Sequence, residues 1–120
     1  MEDRITLIAT LKLIDNRVSQ LQEVVKELQA YCSETETGML QYDWYLSENS
    51  DTIKVLETYT NSEAVLFHFD NHKSFSSRLS QSRVFVSMEM FGNVSEALRQ
   101  RVKKINPQHF TAIASMNKLN

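Results

Sequence analysis

A chain of 120 residues with a hydrophobic fraction of 42% is long enough to bury one core, so we expect a single domain over residues 1–120. The net charge of −2 and the lack of long charged runs argue against nucleic acid and anionic membranes as partners. One cysteine excludes an internal disulfide and favours a reducing compartment, the cytoplasm. The charged N-terminus with its short apolar run predicts neither a signal peptide nor a membrane span.

The first part of the chain predicts a strand, a helix and a hairpin. Residues 4–13 alternate between apolar and polar, which is typical of a strand with one buried face. Asp15 or Asn16 is expected to cap a helix. Its inner face is a stripe at helical spacing, formed by Val18, Leu21, Val25, Leu28 and Cys32. Residues 39–46 and 52–59 then predict two strands that pair as an antiparallel hairpin around a Ser-Glu-Asn-Ser turn.

A second helix is indicated by a capping box. Thr60 carries the hydroxyl and Glu63 follows three residues later, so the helix is expected to run through His68 and to break near 70–71. Residues 73–81 predict a further helical piece.

The C-terminal part predicts a strand, a short helix and a last strand. Residues 83–91 alternate again, and Asn93 with Glu96 resembles another helix start. Pro107 is expected to end that helix, and residues 109–116 to form the final strand.

The predicted order is βαββαβ with an added helix and strand, the ferredoxin-like α+β pattern in which helices cover one face of the sheet. Strands two, three and four nevertheless carry large apolar side chains on both faces. We therefore expect a second copy of the chain to cover the open face, giving a homodimer. The alternative is a few ordinary exposed aromatic residues.

Several short motifs, in this order, resemble one family. They are Glu36-Thr37-Gly38, Tyr42-Asp43-Trp44, Glu57-Thr58-Tyr59 and Ser62-Glu63-Ala64 followed by His68. Together they resemble the antibiotic biosynthesis monooxygenase domain. The resemblance implies a ferredoxin-like protomer that pairs as a dimeric α/β barrel. It also implies oxidation of a small aromatic or quinol-type substrate by dioxygen, with no metal and no other cofactor.

His68 is the candidate catalytic residue. Ala64 lies four residues earlier, so both share a helix face, and Ala64 with Phe67 suggests that this face looks inward. An imidazole there could take a proton from a phenolic substrate. It could equally be a structural histidine that bonds a carboxylate and holds the helix against the sheet.

The other substrate-pocket candidates are Trp44, Tyr59, Tyr42, Glu57 and Ala64. Aromatic rings stack on planar ligands, although packing in the core or a dimer interface would explain them too. Glu57 and Asp43 lie in mid-strand, where one of them could pair with Arg83 or Lys54. Cys32 is interpreted as inert packing, and His68 with His72 is too small a set for a metal site.

Two functions stay open from the sequence. The first is a cofactor-independent monooxygenase with His68 as base and Trp44 and Tyr59 as pocket walls. The second is a non-catalytic dimer of the same fold that binds a small molecule.

Overall fold

The computed structural model describes residues 3–116 and 118 and shows a five-stranded sheet with helices on one face. The elements are β1 (Ile5–Leu13), α1 (Val18–Thr35), β2 (Met39–Leu46), β3 (Thr52–Tyr59), α2 (Ser62–Asn71), a 3-10 turn (His72–Phe75), α3 (Ser76–Leu79), β4 (Arg83–Phe91), α4 (Glu96–Arg101) and β5 (Gln108–Phe110). The strand order is β2-β3-β1-β4-β5, antiparallel except for the parallel pair β4 and β5. The predicted ferredoxin-like α+β fold is confirmed.

The core lies between the helices and the central strand β1, which pairs with both β3 and β4. Alternate residues of β1 from Ile5 to Leu13 are buried, as the alternating sequence predicts. The stripe of α1 packs against them, except Val18 at the helix start, which is 42% exposed. The C-terminal end of α1 lies beside α2, where Cys32 and Glu36 approach His68.

Three helix starts differ from the predicted ones. Asp15 and Asn16 have φ values of 47° and 57° and form a turn, so α1 begins after Arg17 without a side-chain cap. Asn61, not Thr60, caps α2 by accepting a hydrogen bond from the N–H of Ala64. The N–H of Thr60 bonds instead to Gly38, which holds Thr60 beside β2 and moves the cap by one residue. Ser95, not Asn93, caps α4.

Two irregularities change which side chains share a sheet face. The pairing of β2 with β3 shifts at Leu40, so Met39 faces the helices together with Tyr42. The pairing of β4 with β1 shifts at Val86, so Phe85 lies on the same face as Met88. The predicted strict alternation is therefore wrong in both strands, because one extra residue reverses every side chain beyond it.

The last strand is shorter than predicted. It comprises Gln108–Phe110, whereas residues 111–116 are not in a strand and are exposed. Residue 117 of the chain lies outside the described residues. No helix among the described residues is long and apolar enough to cross a membrane.

The sheet face away from the helices has mixed chemistry. Ile8, Leu56 and Phe91 are partly buried there, and Tyr45 is 54% exposed. Charged and polar side chains lie among them, such as the Lys54 ammonium that donates to Thr10. The face is thus less apolar than the sequence suggested, and the homodimer stays a prediction.

Candidate active site

His68 points from α2 into the space between the helices and the sheet. The inward residues of α2 are Ser62, Val65 and His68, and His68 is only 2% exposed. Phe67, which the sequence placed on the inner face, is 51% exposed, and Ala64 is only partly buried. The inner face of α2 is therefore formed by Val65 with His68, and not by Ala64 and Phe67 as predicted.

Glu36 fixes the orientation of the imidazole. This carboxylate lies just beyond the end of α1, and its Oε2 is 2.8 Å from Nδ1 of His68. A carboxylate oxygen only accepts, so Nδ1 carries the proton and donates. Asn71 also donates to Oε2, at 2.9 Å. In the neutral imidazole, the lone pair is consequently on Nε2.

Glu57 and Tyr59 lie on the other side of the imidazole. Nε2 of His68 is 4.0 Å from Oε1 of Glu57, on β3. The Tyr59 hydroxyl donates a short hydrogen bond to the same oxygen. Glu57 is 7% exposed and Tyr59 is fully buried. The predicted pairing of Glu57 with Arg83 or Lys54 is wrong, because Glu57 faces the helices and has His68 and Tyr59 as partners.

The two carboxyl groups have pKa values displaced in opposite directions. Burial alone would raise the pKa of Glu36, but the hydrogen bonds from His68 and Asn71 outweigh it and lower this pKa. Burial raises the pKa of Glu57, and the nearby His68 and the Tyr59 hydroxyl only partly oppose it. The imidazole of His68 thus lies between Glu36, whose lowered pKa favours the anion, and Glu57, whose raised pKa favours the protonated acid. Neighbouring groups with pKa values displaced in opposite directions are typical of acid–base sites.

A small cavity adjoins this cluster. Its volume is about 100 Å³. It is lined on the sheet side by Tyr42, Trp44, Glu57 and Phe85, and on the helix side by His68, Phe69 and His72, among others. The ring of Tyr42 meets His68 edge-on at 5.0 Å between centroids. Burial raises the pKa of Tyr42, so its hydroxyl stays protonated. The cavity therefore combines apolar walls with a few polar groups, which is typical of a ligand site.

His72 stacks on His68. The two rings are parallel within 5°, with centroids 4.8 Å apart. Nδ1 of His72 lies 3.0 Å from the main-chain oxygen of His68, so Nδ1 is the donor there. Burial, and then the proximity of His68, lowers the pKa of His72. The lowered pKa favours the neutral form of His72.

Cys32 is closer to the site than its interpretation as simple packing suggested. Its Sγ is 3.8 Å from Nδ1 of His68, and Cys32, Glu36 and His68 offer three potential metal-ligand atoms within 4.8 Å of one another. Burial and the adjacent Glu36 raise the pKa of the thiol well above its usual range. A metal would need the thiolate and would displace the proton between His68 and Glu36, so the geometry fits a hydrogen-bonded cluster better.

The structure brings together most of the candidates. His68, Tyr42, Trp44 and Glu57 line one cavity. Tyr59 lies behind Glu57 as its hydrogen-bond donor. Ala64 lies elsewhere, in a separate groove with Gly38 and Phe67.

Three residues of the site were not recognised as such from the sequence: Glu36, His72 and Arg83. The sequence marks Glu36 only as part of a family motif, and it pairs His72 with His68 only as a set too small for a metal site. The pattern Glu-Thr-Gly at a helix end, followed by a histidine pair at i, i+4, was the available signal.

A larger groove lies on the other side of Trp44. Its volume is about 340 Å³, and it is bounded by α1 and the hairpin of β2 and β3. Its lining is mostly apolar and includes Trp44 and Tyr45, with two glutamines and one lysine, Lys26. It holds no acid–base pair like that of His68 and Glu36, so the smaller cavity is the better candidate for chemistry.

The fold and the site define a class: a ferredoxin-like α+β domain with a buried histidine–carboxylate pair beside a small cavity. The chain belongs to the antibiotic biosynthesis monooxygenase family, whose model matches residues 4–75. A comparison with curated proteins finds no match.

Several solved structures share the fold of this chain. MupZ from Pseudomonas fluorescens is 19% identical with a TM-score of 0.77, over 98% of this chain and 91% of that one. A putative antibiotic biosynthesis monooxygenase from Caulobacter crescentus is 25% identical with a TM-score of 0.67, over 78% and 92%. SnoaB from Streptomyces nogalater, a cofactor-independent oxygenase, is 10% identical with a TM-score of 0.65, over 78% and 95%. At 19% and 10% identity, the first and third show the fold alone.

Proposed function

We propose that this protein is a cofactor-independent monooxygenase, an oxidoreductase that uses dioxygen to oxidise a small phenol or quinol. One observation carries the proposal: Glu36 holds the proton of His68 on Nδ1, which leaves Nε2 as a base beside the cavity. This arrangement resembles the carboxylate–histidine pair of hydrolases, in which the carboxylate orients the ring and stabilises its protonated form. Family membership and the oxygenase SnoaB of the same fold support the reaction type.

The proposed reaction balances without a further reactant. Nε2 of His68 takes the hydroxyl proton of the substrate, and the anion formed gives one electron to dioxygen. The radical pair then joins through a new carbon–oxygen bond, and the peroxide anion takes back the proton held on Nε2. The resulting hydroperoxide loses its outer oxygen as water, together with a hydrogen of the same carbon, to leave a carbonyl. One oxygen atom enters the product and the other leaves as water, while the substrate loses four electrons. The protein contributes the base, the orientation and the exclusion of bulk water.

Oxygen consumption tests the proposal. Purified protein is added to single-ring phenols and hydroquinones in an oxygen electrode, and the rate of uncatalysed autoxidation is subtracted. We expect consumption above that background for at least one compound. A protein that binds such compounds without consuming oxygen would instead have the alternative function, a non-catalytic small-molecule-binding dimer.

We also propose that the working unit is a homodimer, in which the open sheet faces of two copies meet. The support is the group of apolar side chains on that face, around Ile8, Leu56 and Phe91. Each copy would keep its own cavity, because the cavity lies on the helix side of the sheet. The cytoplasm stays our proposed location, supported by the single buried thiol.

A further inference from the structure

Arg83 carries a buried donor, its Nε–H, for which the described residues provide no acceptor. It begins β4 and lines the same cavity as His68 and Glu57. Its Nε–H is buried without a hydrogen-bond partner among the described residues. No described carboxylate lies within ion-pair distance of its guanidinium. The Arg83 side chain is only partly buried, but its Nε–H is fully so. A buried N–H without an acceptor is costly, and native proteins keep such groups mainly where function needs them.

Trp44 adds a second donor to the cavity wall. Its indole Nε1 is also buried without a hydrogen bond of normal geometry in the described part of the chain. The indole N–H lies near the Tyr42 hydroxyl. Its proximity lowers the pKa of Tyr42, but burial raises this pKa by more. Arg83 is therefore the charged donor of the cavity, and Trp44 offers a neutral N–H to the same ligand.

The cavity size limits the ligand to a single ring. Its volume of about 100 Å³ is below the roughly 150 Å³ that holds benzene in an engineered protein core. The rim includes Phe85, which is 43% exposed, so the cavity reaches the surface beside Arg83. A single ring would therefore occupy the enclosed volume only in part and extend through this opening, with a substituent at the Arg83 end.

We propose that the cavity selects a single-ring aromatic anion whose charged oxygen pairs with Arg83. This inference rests on the proposed function, because the opposite part of the ligand would meet His68 and Glu57. The anionic oxygen could belong to a carboxylate or to a phenolate. Both present the acceptor that a guanidinium binds most strongly.

Calorimetric titration tests the proposal with three probes: benzoate, benzyl alcohol and 4-nitrophenol. Benzyl alcohol matches benzoate in size but is neutral. Quenching of Trp44, the only tryptophan of the chain, reports that each probe binds beside this residue, and a loss of quenching in an Arg83 variant assigns the binding to the cavity rather than to the groove on the other side of Trp44. We expect the preferred anion to bind at least about tenfold more tightly than benzyl alcohol.

A site for carboxylates and a site for phenolates give different results in this titration. A carboxylate site prefers benzoate at every pH near neutrality. A phenolate site shows no such preference, and its affinity for 4-nitrophenol rises as pH passes through the ionisation of that phenol.

Two variants of Arg83 and one control complete the test. In Arg83→Gln the tenfold preference should disappear, and in Arg83→Lys part of it should remain, because the charge is kept but the fork geometry is lost. Arg99→Gln removes an exposed arginine of α4 and should leave all affinities unchanged. Circular dichroism confirms that each variant is folded.

The proposal is overturned if neither anion binds better than benzyl alcohol, if none of the probes binds, or if Arg83→Gln keeps the preference. These outcomes are separate from those of the oxygenase assay. Anion binding through Arg83 without oxygen consumption would reject the oxygenase alone. Oxygen consumption with an unaltered rate in Arg83→Gln would reject the anion site alone.

Discussion

At the scale of single residues, the site depends on two carboxyl groups whose pKa values are displaced in opposite directions. Glu36 has two hydrogen-bond donors for one oxygen, whereas Glu57 is buried with one hydroxyl donor and a distant imidazole. The lowered pKa of Glu36 contributes stability that is lost as pH falls through its folded value. The raised pKa of Glu57 acts in the opposite direction: stability is greatest below the unfolded value of about 4.3 and is lost as pH rises.

The substitution Glu57→Gln should therefore stabilise the protein in a pH-dependent way. Gln keeps an acceptor for the Tyr59 hydroxyl and removes the cost of burying a charge. We expect the melting temperature of Glu57→Gln to exceed that of the wild type near pH 8, with the difference shrinking to nothing as pH approaches about 4. Thermal melts across this range, with the exposed Glu48→Gln as control, measure the difference. A difference that does not vary with pH would contradict the raised pKa.

The sequence indicated part of this site and could not indicate the rest. Four cavity residues could be named because aromatic and titratable side chains within a strand or helix are candidates for ligand contact: His68, Trp44, Tyr42 and Glu57. Arg83 could be named only as a possible ion-pair partner of Glu57 or Asp43 and not as a cavity residue. Strict alternation places it on the face opposite Met88, and only the bulge at Val86 returns both to one face.

At the scale of elements, one close contact sets the position of α2 against β2. A methyl group added at Gly38 would lie 2.6 Å from Cβ of Ala64 and 3.0 Å from Oγ1 of Thr60. Ala64, which the sequence suggested as a pocket residue, therefore serves helix packing. Because α2 carries His68, this contact also fixes the distance from His68 to the sheet.

The substitution Gly38→Ala should push α2 away from β2. We expect a loss of about 1–3 kcal/mol in the free energy of unfolding, the usual cost of overpacking. Urea denaturation measures it as a lower midpoint with an unchanged slope. The double variant Gly38→Ala with Ala64→Gly removes the clash and should recover part of the loss, although glycine in a helix costs up to about 1 kcal/mol. A single variant as stable as the wild type would show that the contact is not tight.

The elements themselves were largely predictable, since hydrophobic periodicity is strong in β1 and α1. Helix starts were less so. Thr60 and Asn61 are both good caps, and the choice depends on the hydrogen bond between Thr60 and Gly38, two segments that the sequence cannot place side by side.

At the scale of the whole molecule, the open sheet face leads to a prediction about assembly. We expect light scattering at micromolar concentration to give twice the monomer mass. Leu56→Glu places a charge at the centre of that face and should yield a monomer. Phe67→Glu, on the exposed side of α2, is the matched control and should leave the dimer intact. A monomeric wild type, or a dimer that tolerates Leu56→Glu, would contradict this assembly.

The central claim is that His68 acts as a base in a monooxygenation. Its most direct test is the reaction with ¹⁸O₂ of a substrate found in the oxygen assay, compared between wild type and His68→Asn. Asparagine can still donate to Glu36 from the position of Nδ1 but offers no base, so the fold should persist. We predict one labelled oxygen atom in the product of the wild type and a rate at least about 100-fold lower in His68→Asn. His109→Asn, outside the cavity, should match the wild type. Unlabelled product, or an unchanged rate in folded His68→Asn, would contradict the claim.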